Sequence, residues 1–288
     1  GLPSFSYSFI IVILTVFSFF RSRASYNLNT ISKAPEIKWL IAILLSYIFA
    51  MIIAVVPTVH KRFLIDLIKL FVILYVAFRV IDNKSKLELA LLCMVVGASY
   101  IGYEAINVGR NAYGRVEGIG PVDAPESNGT AATLVPTIPL IIYFFWQGKT
   151  KTRLIVSLCG LFIINAIVLL NSRGAFLGAA AAAGYFFVRM LFAKYKLPKQ
   201  KITIVLFVLI GLVGVQRLAD ESFWERMATI TQTKVDDAET SGASRVKYWL
   251  RTFDILEDYP LGAGIWGYQF LSPMYLDAVD IERAKAEG

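Results

Sequence analysis

The stretch that decides the fold runs from residue 154 to residue 192 and reads LIVSLCGLFIINAIVLLNSRGAFLGAAAAAGYFFVRMLF. Two apolar runs, 154–170 and 174–192, flank a short polar turn, and each approaches the ~20 residues that cross a bilayer as a helix. Lipid offers no hydrogen-bond partner to the backbone, so such a run satisfies its own peptide groups by forming a helix. The pattern predicts two membrane-spanning helices joined by a turn at one membrane surface.

Similar apolar stretches occur along the rest of the chain. Of its 288 residues, 57% are hydrophobic and 17% are charged, whereas soluble domains are roughly 45–50% apolar and about 25% charged. We therefore predict an all-α, polytopic integral membrane protein with about eight spans. The predicted spans are 3–20, 37–57, 63–81, 87–106, 130–146, 154–170, 174–192 and 202–218. Because the chain begins at Gly1 rather than methionine and ends on a polar run, we expect it to be a piece of a longer protein.

The lysine and arginine residues of the loops predict the orientation of the spans, since short cytoplasmic loops retain an excess of positive charge. Alternate loops form one set with fifteen such residues and another with five. We place the richer set in the cytoplasm; its loops lie near 21–38, 79–86, 149–153 and 189–201. The poorer set is predicted to face outside; its basic residues are Lys61, Arg62, Arg110, Arg115 and Arg173.

This orientation divides the chain into two predicted domains. Residues 1–218 form a transmembrane helical bundle with a long outer loop at 107–129. Residues 219–288 form an extracytoplasmic, partly helical segment, which carries 13 of the 21 acidic residues.

The net charge of +8 does not predict a nucleic-acid partner, because the basic residues lie between apolar runs and not on one face. Both cysteines, Cys93 and Cys159, lie inside apolar runs, where cysteine behaves as a small hydrophobic residue. The sequence contains no metal-ligand spacing and no phosphate-loop motif. We expect no nucleic acid, no cofactor and no metal ion.

Three arginines occupy separate outer segments: Arg115 in the long loop, Arg173 in the short turn and Arg245 in the tail. A guanidinium keeps its charge and matches phosphate oxygens bidentately, so converging arginines would bind a diphosphate at the membrane surface. The alternative is that each is an ordinary interfacial arginine, with Arg115 paired for example to Glu117. Arg173 has less freedom to reach water, because its turn is so short.

Other ionisable residues favour structural interpretations. Asp66 and Lys69 are three residues apart, on one helix face, and we predict that they neutralise one another. The alternative, an ion path, would require further ionisable groups across the membrane. His60 is predicted to be a solvated residue of a short outer turn beside Lys61 and Arg62.

Four motifs stand out on the predicted outer face. They are Asn171-Ser172-Arg173-Gly174-Ala175; Gly242-Ala243-Ser244-Arg245 with Trp249, followed by Pro260-Leu261-Gly262-Ala263-Gly264; Arg226-Met227-Ala228-Thr229-Ile230; and Glu126-Ser127-Asn128-Gly129-Thr130-Ala131. Together they resemble the O-antigen ligase and polymerase superfamily of multispan glycosyltransferases. The second motif is the most specific, because both of its parts occur in order. The resemblance covers about residues 110–270.

The resemblance implies a glycosyltransferase of the bacterial plasma (inner) membrane with functional loops outside the cytoplasm. Its donor would be a glycan on a polyprenyl-diphosphate carrier, its acceptor a lipid or a protein, and membrane lipid would surround it. Catalytic roles would fall on Arg173 and Arg245. Glu126 is assigned as the catalytic base from its proximity alone, since it lies on the same predicted outer face, and Asp123 is the alternative base on the same ground. Substrate-binding roles would fall on Arg115, Ser172, Asn128, Trp249, Gly262 and Gly264.

One residue of the family pattern is not matched. The family's acceptor-activating histidine lies beyond the Pro-Leu-x-Gly-x-Gly run, and His60 lies far upstream of that position. A polymerase of the same superfamily is the nearest alternative function. A transporter or flippase would need repeated halves and polar residues at mid-membrane, and a non-catalytic scaffold would tolerate substitution of the outer arginines.

Overall fold

The computed structural model describes residues 7–22, 34–112, 114–120, 126–192, 199–219, 221–228, 241–276 and 281. Every regular element within these ranges is a helix. The helices are α1 (Tyr7–Arg21), α2 (Glu36–Ile53), α3 (Pro57–Val80), α4 (Lys84–Val108), α5 (Ser127–Leu134), α6 (Thr137–Gln147), α7 (Thr150–Leu169), α8 (Arg173–Leu191), α9 (Gln200–Leu218), α10 (Glu221–Ala228), α11 (Ser241–Asp258) and α12 (Gly267–Tyr275).

Within the described residues, the predicted spans coincide with helical segments, and residues 3–6 of the first predicted span lie outside that part of the chain. Those long and apolar enough to cross a membrane are α2, α4, α5 together with α6, α7, α8 and α9. The apolar part of α1, Ile10–Arg21, is shorter, and α3 has the length of a span but carries several charged side chains. The all-α, polytopic membrane fold is therefore confirmed.

Helix α3 begins earlier than predicted. The span was expected from residue 63, whereas the helix begins at Pro57, because proline supplies a helical φ at the first position and has no N–H to leave unpaired. The predicted outer turn around His60 is thus the first part of a helix. Further along α3, Lys69 Nζ lies 2.7 Å from Asp66 Oδ1, so the predicted pair is present.

The described helices belong to two compact units. Unit 1 comprises Gly1–Lys86 and Val235–Gly288. In it α3 packs against α1 and α2, and α11 packs against α12. Helix α2 is apolar on all sides and has no buried residue, which is typical of a surface that faces lipid.

Unit 2 comprises Leu87–Lys234, and its core surrounds α7. Ile163, Ala166 and Leu170 are fully buried among residues from α4, α5 and α6. The predicted fifth span is divided into α5 and α6, and Thr137 Oγ1 donates to the carbonyl of Leu134 at 2.6 Å across the break. This core fixes the ends of α5 and α8, which carry four of the predicted site residues: Glu126, Asn128, Ser172 and Arg173.

An apolar recess of about 700 Å³ lies in unit 2, lined by side chains from α6 to α10. Helix α8 contributes Phe176, Ala180, Ala183 and Phe187. These residues lie at spacings of four, three and four, which places them on one face of the helix. The same face, one turn earlier, begins with Arg173.

Candidate functional site

The turn between α7 and α8 places Arg173 at the first position of a helix. Asn171 is in the left-handed conformation (φ 51°), which asparagine tolerates better than most residues, and it is almost completely buried. Ser172 is the N-cap of α8, and its side chain accepts from the N–H of Ala175 at 3.5 Å. Arg173 is half-buried, and its side chain carries positive charge at the helix end where the backbone dipole is also positive.

The long loop after α4 is anchored to the end of α7 by Arg110. Arg110 Nη2 donates to the carbonyl of Val168 (3.1 Å) and its Nε to that of Leu169 (3.4 Å). These are terminal carbonyls of a helix, which favour a cation. Burial lowers the pKa of the Arg110 guanidinium, although arginine stays charged in proteins. The sequence pattern did not predict this role for Arg110.

Asn111 then folds the loop into a tight turn. The backbone N–H of Asn111 donates to the carbonyl of Arg115 (2.7 Å), and the side chain of Asn111 accepts from the N–H of Arg115 (3.1 Å). The N–H of Gly114 also donates to the carbonyl of Asn111 (2.9 Å). The position of Arg115 in the loop is thereby fixed by local backbone bonds.

Two further contacts bring this loop to α5 and α8. Asn171 Nδ2 donates to the carbonyl of Gly114 at 3.5 Å, and Arg115 Nη2 donates to Asn128 Oδ1 at 3.0 Å. A bonded path therefore runs from Asn128 through Arg115 and Gly114 to the turn that carries Arg173. We call Arg115, Asn128, Asn171, Ser172 and Arg173 the arginine cluster. Of the predicted residues, it unites Arg115, Asn128, Ser172 and Arg173.

Glu126 lies at the edge of the arginine cluster. It is the N-cap residue of α5, makes no side-chain cap hydrogen bond and is exposed. Ser127, the next residue, is completely buried. The other predicted base, Asp123, lies outside the described residues.

The remaining predicted residues belong to unit 1. Trp249 lies on α11 with 67% of its surface exposed. Arg245 lies on the same helix, and its side chain lies outside the described part of the chain. Helix α12 is bound to α11 by the hydroxyl of Tyr268, which donates to the carbonyl of Tyr248 at 3.0 Å.

The two predicted glycines differ in their surroundings. Both are in the left-handed region, with φ of 87° at Gly262 and 77° at Gly264. A Cβ at Gly262 would meet nothing within 4 Å, whereas a Cβ at Gly264 would lie 2.7 Å from Ala54 Cβ. Gly264 therefore permits a close approach to the turn between α2 and α3, while Gly262 has open space beside it. We call residues 260–266 the glycine turn.

The prediction that His60 is solvated is wrong. Only 1% of its surface is exposed. Its Nε2 is 2.8 Å from the carbonyl oxygen of Tyr47, and its Nδ1 is 3.0 Å from the N–H nitrogen of Ile265. The ring is therefore enclosed between helices and the glycine turn, and both of its nitrogens are used.

Residues 158–284 match the family model described as O-Antigen ligase. The matched segment includes Arg173, Arg245, Trp249 and the glycine turn, whereas Arg115 and Asn128 precede it. Neither the curated proteins nor the solved structures contain a significant match to the chain. The resemblance drawn from the Ser-Arg-Gly and Pro-Leu-x-Gly-x-Gly motifs is confirmed over residues 158–284, which are less than half of the chain, and the chain as a whole is a polytopic membrane protein.

Proposed function

We propose that this protein is a glycosyltransferase of O-antigen ligase type. It transfers a glycan from a polyprenyl-diphosphate carrier to a lipid or protein acceptor at the outer face of the bacterial plasma membrane. The observation that carries the proposal is the bonded path of the arginine cluster, in which the Asn171–Gly114 contact links the loop of Arg115 to the turn of Arg173. Two cations held at one end of unit 2 suit a ligand with more than one phosphate.

The chemistry requires these cations at the leaving group. An acceptor hydroxyl oxygen attacks the anomeric carbon, the bond from that carbon to the phosphate oxygen breaks, and the electron pair leaves with the lipid diphosphate. Preorganised cations stabilise the charge that develops there. We assign this role to Arg173, with Arg115 beside it and Arg245 added from the family resemblance.

The acceptor proton needs a base, and Glu126 is the proposed one. Its carboxylate is exposed at the start of α5, two residues before Asn128, which binds Arg115. Ser172, Trp249, Gly262 and Gly264 are proposed to bind the substrates, with Gly262 the better placed of the two glycines because open space adjoins it.

The carrier lipid also has a place in this arrangement. The apolar recess begins about one helical turn after Arg173 along α8, on the face that carries Phe176, Ala180 and Phe187. A diphosphate at Arg173 would thus allow the attached polyprenyl chain to enter an apolar space of about 700 Å³. Apolar chains bind in such a space because burial there removes their apolar surface from water.

The test compares surface glycans and carrier-linked glycans, separated on gels, from cells that lack the full-length protein. The cells are restored with wild type, Arg173→Ala or Arg189→Ala. Arg189 is the matched control, because it is exposed in the last turn of the same helix. Equal protein levels, checked by immunoblot, show that the variants insert.

For a ligase, full-length polymer accumulates on the carrier in the null and Arg173→Ala cells, while wild type and Arg189→Ala restore transfer. If only single repeat units reach the acceptor, the protein is a polymerase of the same superfamily. Unchanged glycans in both pools would contradict both functions.

A further inference from the structure

The glycine turn is seated on α2 and α3 by four neighbouring contacts. The N–H of Val55 donates to the carbonyl of Ala263 at 3.0 Å. Gly264 approaches Ala54 too closely for a side chain. The rings of Phe63 and Trp266 are 6.4 Å apart. The fourth contact, from the N–H of Ile265 to Nδ1 of His60, is the one hydrogen bond among them that a side chain accepts.

The two bonds of His60 fix its tautomer. The backbone N–H of Ile265 is a donor, so Nδ1 must be the acceptor and carries no proton. Nε2 then carries the proton and donates to the carbonyl of Tyr47. The neutral ring thus connects α2, α3 and the glycine turn.

The two bonds differ in importance for the turn. Without Nδ1, the N–H of the half-buried Ile265 loses its acceptor, and an N–H that is shielded from water and has no partner is costly. Without Nε2, the carbonyl of Tyr47 loses one donor, which is better tolerated because a carbonyl has two lone pairs. Only the first loss frees the backbone beside Gly264.

We propose that His60 is a positioning residue, which through Nδ1 holds the glycine turn so that Gly262 is presented to the glycan substrates. The proposal rests on the proposed function, in which Gly262 lies near the substrates. His60 touches neither substrate nor leaving group. It acts through the backbone of Ile265, and the turn Tyr259–Gly262, closed by the N–H of Gly262 on the carbonyl of Tyr259 at 2.8 Å, moves with it.

Two amides test the two nitrogens separately. In His60→Asn the side-chain oxygen can occupy the place of Nδ1 and accept from Ile265, whereas the bond to Tyr47 is lost. In His60→Gln the amide nitrogen can occupy the place of Nε2 and donate to Tyr47, whereas Ile265 loses its acceptor. Each variant removes one hydrogen bond, so a merely structural role predicts similar effects of both.

The experiment uses the full-length protein with Cys93→Ser, Cys159→Ala and a spin label on Leu261→Cys, since the side chain of Leu261 is 68% exposed. We measure label mobility, thermal stability and transfer of glycan from its carrier. His60→Gln is expected to mobilise the label and lower transfer by about tenfold, while His60→Asn keeps the label immobile and transfer within about threefold of wild type. When the two variants are compared at equal thermal stability, His60→Gln must still mobilise the label and lower transfer more than His60→Asn does.

Equal mobility and equal transfer in the two variants would overturn the proposal, as would a loss of transfer that only follows the loss of thermal stability. Arg173→Ala, measured in parallel, tests the proposed function separately. If Arg173→Ala keeps full transfer, the role proposed for the arginine cluster is wrong. The mobility of the label still decides whether His60 holds the glycine turn.

Discussion

Arg173 combines two sources of positive potential, its guanidinium and the first N–H groups of α8. The geometry of the group matters as much as its charge, because a planar guanidinium matches two phosphate oxygens with two parallel hydrogen bonds, whereas an ammonium acts as a point charge. We expect Arg173→Lys to lower glycan transfer by about tenfold to a hundredfold, nearly as far as Arg173→Ala, since a charge-assisted hydrogen bond contributes about 1.5–3 kcal/mol. Initial rates with purified carrier-linked glycan measure this. Near-normal activity of the lysine variant would contradict bidentate binding.

Asn128 is predicted to act through Arg115, whose Nη2 it binds at 3.0 Å. Asn128→Ala should lower transfer by about twofold to tenfold, in keeping with about 0.5–1.5 kcal/mol for one hydrogen bond. Because both residues serve one interaction, the effects of Asn128→Ala and Arg115→Ala should not add in a double-mutant cycle. Glu117→Ala, at an exposed acid of the same loop, is the control and should leave transfer unchanged. Additive effects would show that Asn128 does not act through Arg115.

The sequence identified Arg115 and Arg173 because charge beside apolar runs is visible in the sequence itself. His60 was misjudged because its partners are backbone groups, and backbone groups carry no residue signature. One of them, the N–H of Ile265, is 205 positions away along the chain. Arg110 was missed for the same reason, since it binds the carbonyls of Val168 and Leu169. The charge of such residues is predictable, but their burial depends on the tertiary fold.

Helices α4 and α7 approach closely at Gly102. A Cβ there would lie 2.5 Å from the carbonyl oxygen of Phe162, so the helices must separate to admit it. Gly102→Ala should lower stability by about 1–3 kcal/mol, the usual effect of overpacking. Gly97→Ala is the matched control on the same helix, because a Cβ at Gly97 meets nothing within 4 Å. Thermal unfolding in detergent measures both, and equal melting temperatures would contradict this close approach.

Helices α11 and α12 are also joined near their ends by Tyr275, whose hydroxyl donates to Asp258 Oδ2 at 2.5 Å. This hydrogen bond to Asp258 raises the pKa of Tyr275 to about 12, from an unfolded value of about 10. The fold favours the protonated form, so the stabilisation is fully present below pH ~10 and is lost as pH rises through ~12.

Absorbance at 295 nm should therefore show that Asp258→Asn shifts the titration of one tyrosine to lower pH. Tyr275→Phe should remove the shifted titration from the curve, which assigns that titration to Tyr275. An unchanged curve in Asp258→Asn would show that the Tyr275–Asp258 bond does not control the titration.

At the level of elements, hydropathy located the spans well because the bilayer fixes both their length and their polarity. It did not locate the start of α3, because the first part of that helix is charged and resembles a loop in composition. The break between α5 and α6 and the pairing of α11 with α12 depend on local and tertiary hydrogen bonds, which a hydropathy pattern does not contain.

For the whole molecule, the orientation derived from the loop charges remains a prediction. In a background without Cys93 and Cys159, Glu117→Cys should react with a membrane-impermeant maleimide from the outer side, and Lys149→Cys should react only after the membrane is opened. Both positions are exposed, so a difference in reaction with the maleimide cannot come from burial of one side chain. The reverse pattern would place the arginine cluster in the cytoplasm and remove its access to an outer-face donor.

The turn between α7 and α8 also restricts how the gene can vary. Arg173 is the first residue of its helix, and the preceding helix ends at Leu169. One inserted or deleted residue within α8 just after Arg173 would rotate it by about 100° relative to the rest of the helix, away from the face that lines the apolar recess. Residues of α8 can be substituted while the recess is kept. A change in the length of α8 would disrupt the recess. Divergence of this region should therefore proceed by replacement of residues, with insertions and deletions confined to other loops.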